Sequence, residues 1–254
     1  MLTVHLQGGL GNQLFQVAAA ETIARQTNRR LVLPPCRPTH HSSQDYFTTI
    51  LSDFAPLRGE LPGCTVVREP SFTYREWTLP EEPVSLDGYF QNYRYVSDTF
   101  RDRLVCPDGI PESPGAFLHL RGGDYVNHPL HDVKLDAYYR NAIKEFPRDT
   151  HFFVFTNDLA YAKTSSVLQA VSHTIVEEPD EVRALWRMSR CRAGGLCANS
   201  TFSWWGAYLN PARTLVLPPR WFNDSSIVTE GYFFPGSLKG SESADSVSPR
   251  ASCP

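Results

Sequence analysis

Several signals that would assign this chain of 254 residues to a common protein class are missing. No stretch approaches the roughly 18 consecutive apolar residues of a membrane-spanning helix. The N-terminus lacks the basic region, apolar core and cleavage site of a secretory signal peptide. The 24 Lys and Arg are balanced by 27 Asp and Glu, so the basic excess typical of a nucleic-acid-binding protein is missing too. We therefore predict a cytoplasmic protein without a membrane span and without a nucleic-acid partner.

Motifs for metal binding and redox chemistry are equally scarce. The six cysteines form no CxxC pair, and we interpret them as reduced thiols. No DxD motif occurs, so the carboxylate pair that commonly holds a metal-bound diphosphate is missing. His128 and His131 could bind zinc, but Pro129 between them disfavours a helical HxxH face. We therefore predict that the protein uses no metal and no cofactor.

The apolar pattern predicts an α/β fold. Residues 2–6 form an apolar strand candidate, a glycine-rich turn follows, and residues 13–27 have helical character. The stretch 36–82 has weak periodicity, whereas strands and helices alternate from residue 116 onwards. Repeated β-α-β units imply parallel sheets covered by helices, with ligands at the carboxyl ends of the strands.

Three segments are predicted from changes in composition along the chain. Residues 106–114 are rich in proline and glycine and form the best candidate boundary. Residues 1–107 are predicted to form a smaller N-terminal lobe and residues 108–235 a Rossmann-like lobe. Residues 236–254 are rich in serine and glycine without an apolar pattern, which predicts a disordered tail.

The first glycine-rich turn, residues 8–13, is a candidate ligand loop. It departs from the dinucleotide fingerprint, because Leu14 occupies the third glycine position and no acidic residue follows the second strand. Glycines such as Gly9 and Gly11 still allow a ligand to approach closely, and the helix start offers unpaired N–H groups. A tight turn with a purely structural role is the alternative.

Polar side chains also follow two later strands. His119 and Arg121 lie at the end of strand 116–120, and a guanidinium suits a diphosphate because it donates two hydrogen bonds at once. Asp124 could instead be the ion-pair partner of Arg121. Asp158 follows strand 151–155 and could accept hydrogen bonds from guanine, although this segment taken alone favours an N-cap role.

The densest polar cluster precedes an aromatic helix. Hydroxyl, amide and backbone N–H groups at the positive end of a helix can bind phosphate without a metal. The paired tryptophans that follow suit the core, and we expect Trp205 at least to anchor the helix there. The cluster consists of Asn199, Ser200, Thr201 and Phe202.

Taken together, these segments resemble the family 11 glycosyltransferases, the alpha-1,2-fucosyltransferases. No single segment is specific, but five of them occur in the same order as in that family. They are the glycine turn up to Gln16, the segment Gly88-Tyr89-Phe90-Gln91, residues 119–125, residues 155–158 and residues 198–209.

The resemblance implies a GT-B-like fold of two Rossmann-like lobes and metal-independent, inverting transfer from GDP-fucose to the 2-hydroxyl of a galactoside. By analogy, Arg121 and the cluster 199–202 would bind the diphosphate, and His119 and Asp158 would hold guanine. Asn12, beside Gly9 and Gly11, would lie near the transferred fucose. Asp124 is our candidate for the catalytic base.

The sequence departs from the family pattern HxRRxD, because Gly122 replaces the second arginine. Two alternatives therefore stay open. The chain could be a transferase of the same fold for another nucleotide sugar or linkage. It could also be a catalytically silent protein that binds nucleotide sugars.

Overall fold

A computed structural model describes residues 1–35 and 44–243. The N-terminal sheet contains β1 (Leu2–Val4), β2 (Thr65–Arg68) and β3 (Val84–Asp87), in the spatial order β1-β3-β2. The second sheet has six strands in the order β6-β5-β4-β7-β8-β9, and all neighbours in both sheets are parallel. Its strands are β4 (Ala116–Leu120), β5 (Phe152–Thr156), β6 (His173–Ile175), β7 (Gly194–Leu196), β8 (Leu215–Leu217) and β9 (Leu238–Lys239).

Helices connect most of these parallel strands, as parallel pairing requires. The α-helices are α1 (Leu10–Gln26), α2 (Asp98–Asp102), α3 (Asp136–Ala142), α4 (Leu159–Thr164), α5 (Glu181–Ser189) and α6 (Thr201–Tyr208). Single 3₁₀ turns occupy Tyr46–Thr48, Ser52–Leu57, Tyr93–Tyr95, Gly123–Tyr125, Ile143–Glu145, Leu168–Ala170 and Glu230–Tyr232. Two parallel sheets, the smaller one N-terminal, confirm the predicted α/β, GT-B-like fold class.

Helix α1 joins the two sheets. It packs against β1 and, at its N-terminal end, directly against the start of α6. A Cβ atom on Gly11 would lie 2.6 Å from the backbone carbonyl carbon of Thr201, so a larger residue would push the helices apart. Trp205 is fully buried, as expected, and its Nε1 donates a 2.9 Å hydrogen bond to the carbonyl of Gly11. These contacts fix the glycine turn relative to the polar cluster before α6.

The structure bears differently on the two predicted segment boundaries, after residue 107 and after residue 235. One hydrophobic cluster contains Phe15 from the N-terminal segment together with Phe117 and Trp205, so the core continues past residue 107. The 107/108 boundary itself stays a prediction. The disordered tail was placed too early, because β9 pairs with β8 and Asn141 donates hydrogen bonds to the carbonyls of Ser241 and Ser243. Residues 244–254 lie outside the described residues.

Two further observations concern strand β2 and the cysteines. The stretch 36–82, left without assignment, contains β2, which pairs with β3 at the edge of the N-terminal sheet. Its burial is low, which explains why its apolar pattern is weak. Of the six cysteines, four fall in the described part of the chain and are free thiols, as predicted, whereas Cys36 and Cys253 lie outside it.

Candidate active site

A cleft of about 560 Å³ lies between the carboxyl ends of the two sheets. This is where α/β folds place ligands. We call its two faces the N-terminal wall and the C-terminal wall. The N-terminal wall is formed by residues 8–12, Phe72, Tyr89 and Gln91. The C-terminal wall is formed by Arg121, Asp124, Tyr125, His128, Leu130, His131, Glu181, residues 199–202, Trp221, Phe222, Ile227 and Tyr232.

The start of α6 faces this cleft without a side-chain cap. Ser200 occupies the N-cap position, but its hydroxyl accepts no hydrogen bond from the first turn. In α5, by contrast, the carboxylate of Asp180 accepts the N–H groups of Val182 and Arg183. The first N–H groups of a helix carry partial positive charge and attract anions. The start of α6 is therefore a ready site for phosphate oxygens.

Arg121 lies on the same wall as the start of α6. Its Nη2 contacts both carboxylate oxygens of Asp124, at 2.7 and 3.0 Å, and its guanidinium carbon lies 4.7 Å from the ring centre of Tyr125. The Nε atom is buried and has no hydrogen-bond partner among the described residues. A buried, unpaired donor is costly, so an anionic ligand that reached Nε would satisfy it.

His119 lies behind this wall. The residue is 2% exposed, and its ring centre lies 5.8 Å from that of Phe202. Burial, together with the positive charge of Arg121, lowers the pKa of His119 to about 3, so the ring is neutral at neutral pH. His119 is not among the residues that line the cleft. Its predicted contact with guanine stays a prediction.

Asp158 has a clear structural role. One carboxylate oxygen caps α4 by accepting the N–H of Tyr161 at 2.9 Å, and the other accepts the N–H of Gly123 at 3.1 Å. These backbone hydrogen bonds lower its pKa. Asn157 adds a 2.9 Å hydrogen bond from the N–H of Gly122. The turn after β5 therefore holds the loop that follows Arg121 in place through hydrogen bonds. The predicted contact of Asp158 with guanine stays a prediction.

Gly122 is a steric requirement of this loop. Its φ of −113° is open to any residue. A Cβ atom there, however, would lie 2.8 Å from ring atoms of Tyr161 and 2.9 Å from the Cβ of Asp158. An arginine at this position would therefore have to displace Tyr161. The surroundings of Gly122 therefore leave no free space for the second arginine of the family pattern.

The N-terminal wall carries polar but uncharged groups. The Oδ1 of Asn12 accepts two hydrogen bonds of 2.9 Å, from Nε2 of Gln91 and from the hydroxyl of Thr201. Gln91 in turn accepts a short hydrogen bond from the hydroxyl of Tyr232. Gly9 is the N-cap of α1, and Gly11 provides the close contact with α6. The structure thus brings Asn12, Thr201 and Arg121, predicted from three separate segments, to one cleft.

Asn199 helps to build the C-terminal wall. Its Nδ2 donates 3.0 Å hydrogen bonds to the carbonyls of His131 and Trp221. It thereby positions the ring of His131, which stacks on Tyr125 with 4.8 Å between ring centres. The stacking of these two rings was not predicted, and neither was the position of Phe72 and Phe222, which stack on each other at 5.9 Å from opposite walls. Their positions depend on tertiary contacts, and no local motif marks them.

Other candidate sites are less suited to a charged donor. A groove of about 610 Å³ lies against the N-terminal sheet near Thr3, His5 and Ser85, but no arginine or lysine occurs among the described residues that line it. Within residues 1–35 and 44–243, no group of three or more His, Cys, Asp or Glu side chains could hold a metal ion. His128 uses Nδ1 to accept the N–H groups of Leu130 and His131. Metal independence stays a prediction.

The same described ranges contain no helix that is long and apolar enough to cross a membrane.

Comparison with known proteins decides the family. The family model described as glycosyl transferase family 11 matches residues 104–235, which is more than half of the chain. The chain belongs to glycosyl transferase family 11. The matched region includes Arg121, the turn after β5 and the start of α6, so the family match and the C-terminal wall coincide. The protein is a glycosyltransferase.

Individual relatives are more distant. The chain is 26% identical over 297 residues to the O-antigen biosynthesis glycosyltransferase WbnK of Escherichia coli, an alignment that covers 88% of this chain and 96% of the relative. It is also 26% identical over 277 residues to an alpha-1,2-colitosyltransferase of Escherichia coli, covering 87% and 92%. Among solved structures, the fucosyltransferase NodZ from Bradyrhizobium shows 14% identity and a TM-score of 0.48, covering 83% of this chain and 93% of NodZ.

Proposed function

We propose that this family 11 glycosyltransferase moves L-fucose from GDP-fucose to the 2-hydroxyl of a galactoside, with inversion at the anomeric carbon. The proposal rests on the family, on the ordered segments that resemble alpha-1,2-fucosyltransferases and on the form of the cleft. One relative is named an alpha-1,2-colitosyltransferase, which agrees with transfer of a deoxyhexose to a 2-hydroxyl.

The observation that carries the proposal is the pairing of Arg121 with the uncapped start of α6 on one wall of the cleft. Together they present a full positive charge and a set of N–H groups to the same space. Positively charged groups and helix starts stabilise the charge that develops on a leaving diphosphate. Such a site makes metal-independent departure of GDP reasonable, with no metal and no other cofactor required.

The mechanism follows as a direct displacement. The acceptor hydroxyl oxygen attacks the anomeric carbon of fucose and forms the new glycosidic bond. The bond from that carbon to the diphosphate oxygen breaks, and GDP leaves with its charge against Arg121 and residues 199–202. The hydroxyl proton passes to a base, for which Asp124 is our candidate. In the structure the carboxylate of Asp124 forms an ion pair with Arg121. Asp124 would therefore become available as a base when the guanidinium of Arg121 binds the diphosphate instead.

The other roles follow from position. Asn12 bridges the two walls and would hold the transferred sugar, while Gly9 and Gly11 allow the donor to approach the backbone closely. Guanine would lie toward His119 and Asp158. The galactoside would enter from the N-terminal wall, where the groups are neutral and suited to hydroxyls.

Two rival functions have specific support. The relative named for colitose favours a transferase for another deoxyhexose. Gly122 favours a protein that binds nucleotide sugars without transfer, because one cation of the family pattern is missing. Both rivals use the same cleft, so they differ from the proposal in substrate or turnover and not in architecture.

A donor screen with product analysis tests the proposal. The purified protein is incubated with a galactoside and, in turn, with GDP-fucose, GDP-colitose, GDP-mannose and UDP-galactose, and release of the nucleotide is measured. We expect release to be fastest from GDP-fucose, and NMR of the product to show an α-linkage to O2 of galactose. Faster transfer from another donor would support the first rival. Binding of GDP-fucose without acceptor-dependent release would support the second.

A further inference from the structure

The backbone of Tyr89 and Phe90, on the N-terminal wall, is held by a carboxylate outside the cleft. Glu69 follows β2, and its Oε2 accepts the N–H of Tyr89 at 2.9 Å and the N–H of Phe90 at 2.8 Å. Its other oxygen, Oε1, is buried and has no hydrogen-bond partner among the described residues. Burying a carboxylate oxygen without a partner is unfavourable. The two hydrogen bonds from the N–H groups of Tyr89 and Phe90 offset part of that cost.

The anchored backbone is in a conformation that it would not adopt unaided. Phe90 has a φ of +52°, a region that is unfavourable for bulky side chains. Such a conformation persists only when surrounding contacts enforce it. The two backbone hydrogen bonds that Glu69 accepts are two such contacts, and the burial of the Phe90 ring is a third. Without the carboxylate, this segment would relax toward an ordinary conformation.

The next residue along the chain depends on that conformation. Gln91 is 7% exposed, and its side-chain amide lies between the two walls. Its Nε2 donates to Asn12, while its Oε1 accepts from Tyr232. Asn12 also accepts from Thr201, the first residue of α6. A change of φ at Phe90 would therefore move Gln91 and release Asn12 from one of its two hydrogen bonds.

We infer that Glu69 is a positioning residue for glycosyl transfer, acting through Gln91 on Asn12. The inference rests on the proposed function, because Asn12 is placed beside the transferred sugar there. Glu69 itself touches neither donor nor acceptor in this arrangement. Its removal is expected to slow the chemical step while leaving the donor site on the C-terminal wall intact.

If Glu69 positions the site through its charge, kcat should depend on the protonation of its carboxylate, whereas a role in packing alone predicts no such dependence. Burial raises the pKa of Glu69 to about 7, although the two backbone hydrogen bonds favour the ionised form. The ionised carboxylate is the stronger acceptor, so the anchor weakens as the pH falls below about 7. The titratable groups coupled to Glu69 are Tyr95 and Tyr232, whose own pKa values are raised, so both stay neutral in this range. Arg68 is paired with Asp87 next to it.

The test compares Glu69→Ala, Glu69→Gln, Gln91→Ala and the double variant Glu69→Ala/Gln91→Ala, with Glu76→Gln as an exposed control from the same loop. We expect Glu69→Ala to lower kcat about two- to fivefold, less than removal of Asn12 itself, because Asn12 loses one hydrogen bond but stays in the site. Glu69→Gln keeps one acceptor oxygen and should recover most of kcat. The Kd for GDP should stay within about twofold of wild type, because Glu69 is remote from the phosphate site.

Coupling decides how Glu69 acts. If it works through Gln91, the double variant should be no slower than Gln91→Ala alone, and a multiplicative loss would overturn the inference. The fall in wild-type kcat below pH 7 should be smaller in Glu69→Gln, and an unchanged profile would also count against it. If Glu69→Ala does not fold, Glu69→Gln and its pH profile decide. An inactive wild type would refute the proposed function, whereas full activity in Glu69→Ala would refute only the positioning role.

Discussion

The two walls of the cleft differ in charge. The C-terminal wall carries the charged residues Arg121, Asp124 and Glu181 and the positive start of α6, whereas the described residues of the N-terminal wall offer glycine, amide and aromatic groups without a formal charge. A nucleotide sugar has the same asymmetry, since its charge lies on the diphosphate and its sugar is neutral. Because of this difference, we expect substitutions to affect donor binding and acceptor positioning separately. Variants on one wall should change donor affinity and leaving-group departure, and variants on the other should change the transfer step.

The largest effect is expected at Arg121. Arg121→Ala removes the full cation that we propose faces the leaving diphosphate, and loss of such stabilisation typically costs about 10²–10³ in kcat. The melting temperature should change little, because the ion pair with Asp124 is partly exposed and contributes little to stability. Steady-state kinetics and thermal unfolding together check this. A large fall in melting temperature would show that Arg121 serves the fold and would remove it from the mechanism.

A negative charge at the start of α6 should come next. Ser200→Asp would cap the free N–H groups and repel the diphosphate, so we expect donor affinity to fall about ten- to a hundredfold. Ser200→Asn is the matched control, because it can cap the helix without a charge. Isothermal titration of GDP into both variants separates the two effects. Equal affinities in the two variants would mean that the start of α6 does not face phosphate.

On the N-terminal wall we expect the opposite result, namely a lower kcat with little change in the Kd for GDP. Asn12→Ala removes an uncharged group that joins Gln91 to Thr201, so kcat should fall about five- to tenfold. The Kd for GDP should stay within about twofold, because Arg121 and the start of α6, the groups proposed to bind phosphate, remain on the C-terminal wall. Parallel kinetics and titration check the split. A loss of GDP affinity as large as the loss of kcat would erase the distinction between the walls.

A smaller effect is expected at Asp158, behind the C-terminal wall. Asp158→Ala removes the cap of α4 and should lower the free energy of unfolding. Its proposed contact with guanine adds a second expectation, namely that GDP binding weakens more than binding of a bare sugar phosphate. Denaturant unfolding and paired titrations measure both. Equal losses for the two ligands would leave Asp158 with its structural role alone.

Chelation of divalent metal ions should leave the rate of glycosyl transfer unchanged. If Arg121 and the start of α6 supply the positive charge that the diphosphate needs, transfer in EDTA should equal transfer in buffer within experimental error. The measurement is the initial rate before and after chelation, followed by addition of Mg²⁺ or Mn²⁺. Loss of most activity, restored by either ion, would show that the C-terminal wall is incomplete without a metal.

The sequence was informative where local pattern and chemistry agree. The strand ending at Leu120, the strand ending at Thr156 and the helix after Ser200 carry regular apolar patterns that polar residues follow at once, so both elements and candidate sites could be predicted. Strand β2 could not, because it lies at a sheet edge and buries little of its surface. Strand β9 could not either, since a two-residue strand within a Ser- and Gly-rich segment is specified by its partner β8 and not by its own pattern.

The sequence alone determined the fold class, the family resemblance and the residue types proposed to bind a diphosphate, because these depend on periodicity and on motifs of a few neighbouring residues. Tertiary structure decided how those residues are used. It showed that Asp158 caps α4 and fastens the loop of Arg121, that the space beside Gly122 is filled by Tyr161, and that Gln91 and Asn12 link the two walls. Such roles depend on distances between segments far apart in the chain, which no local pattern encodes.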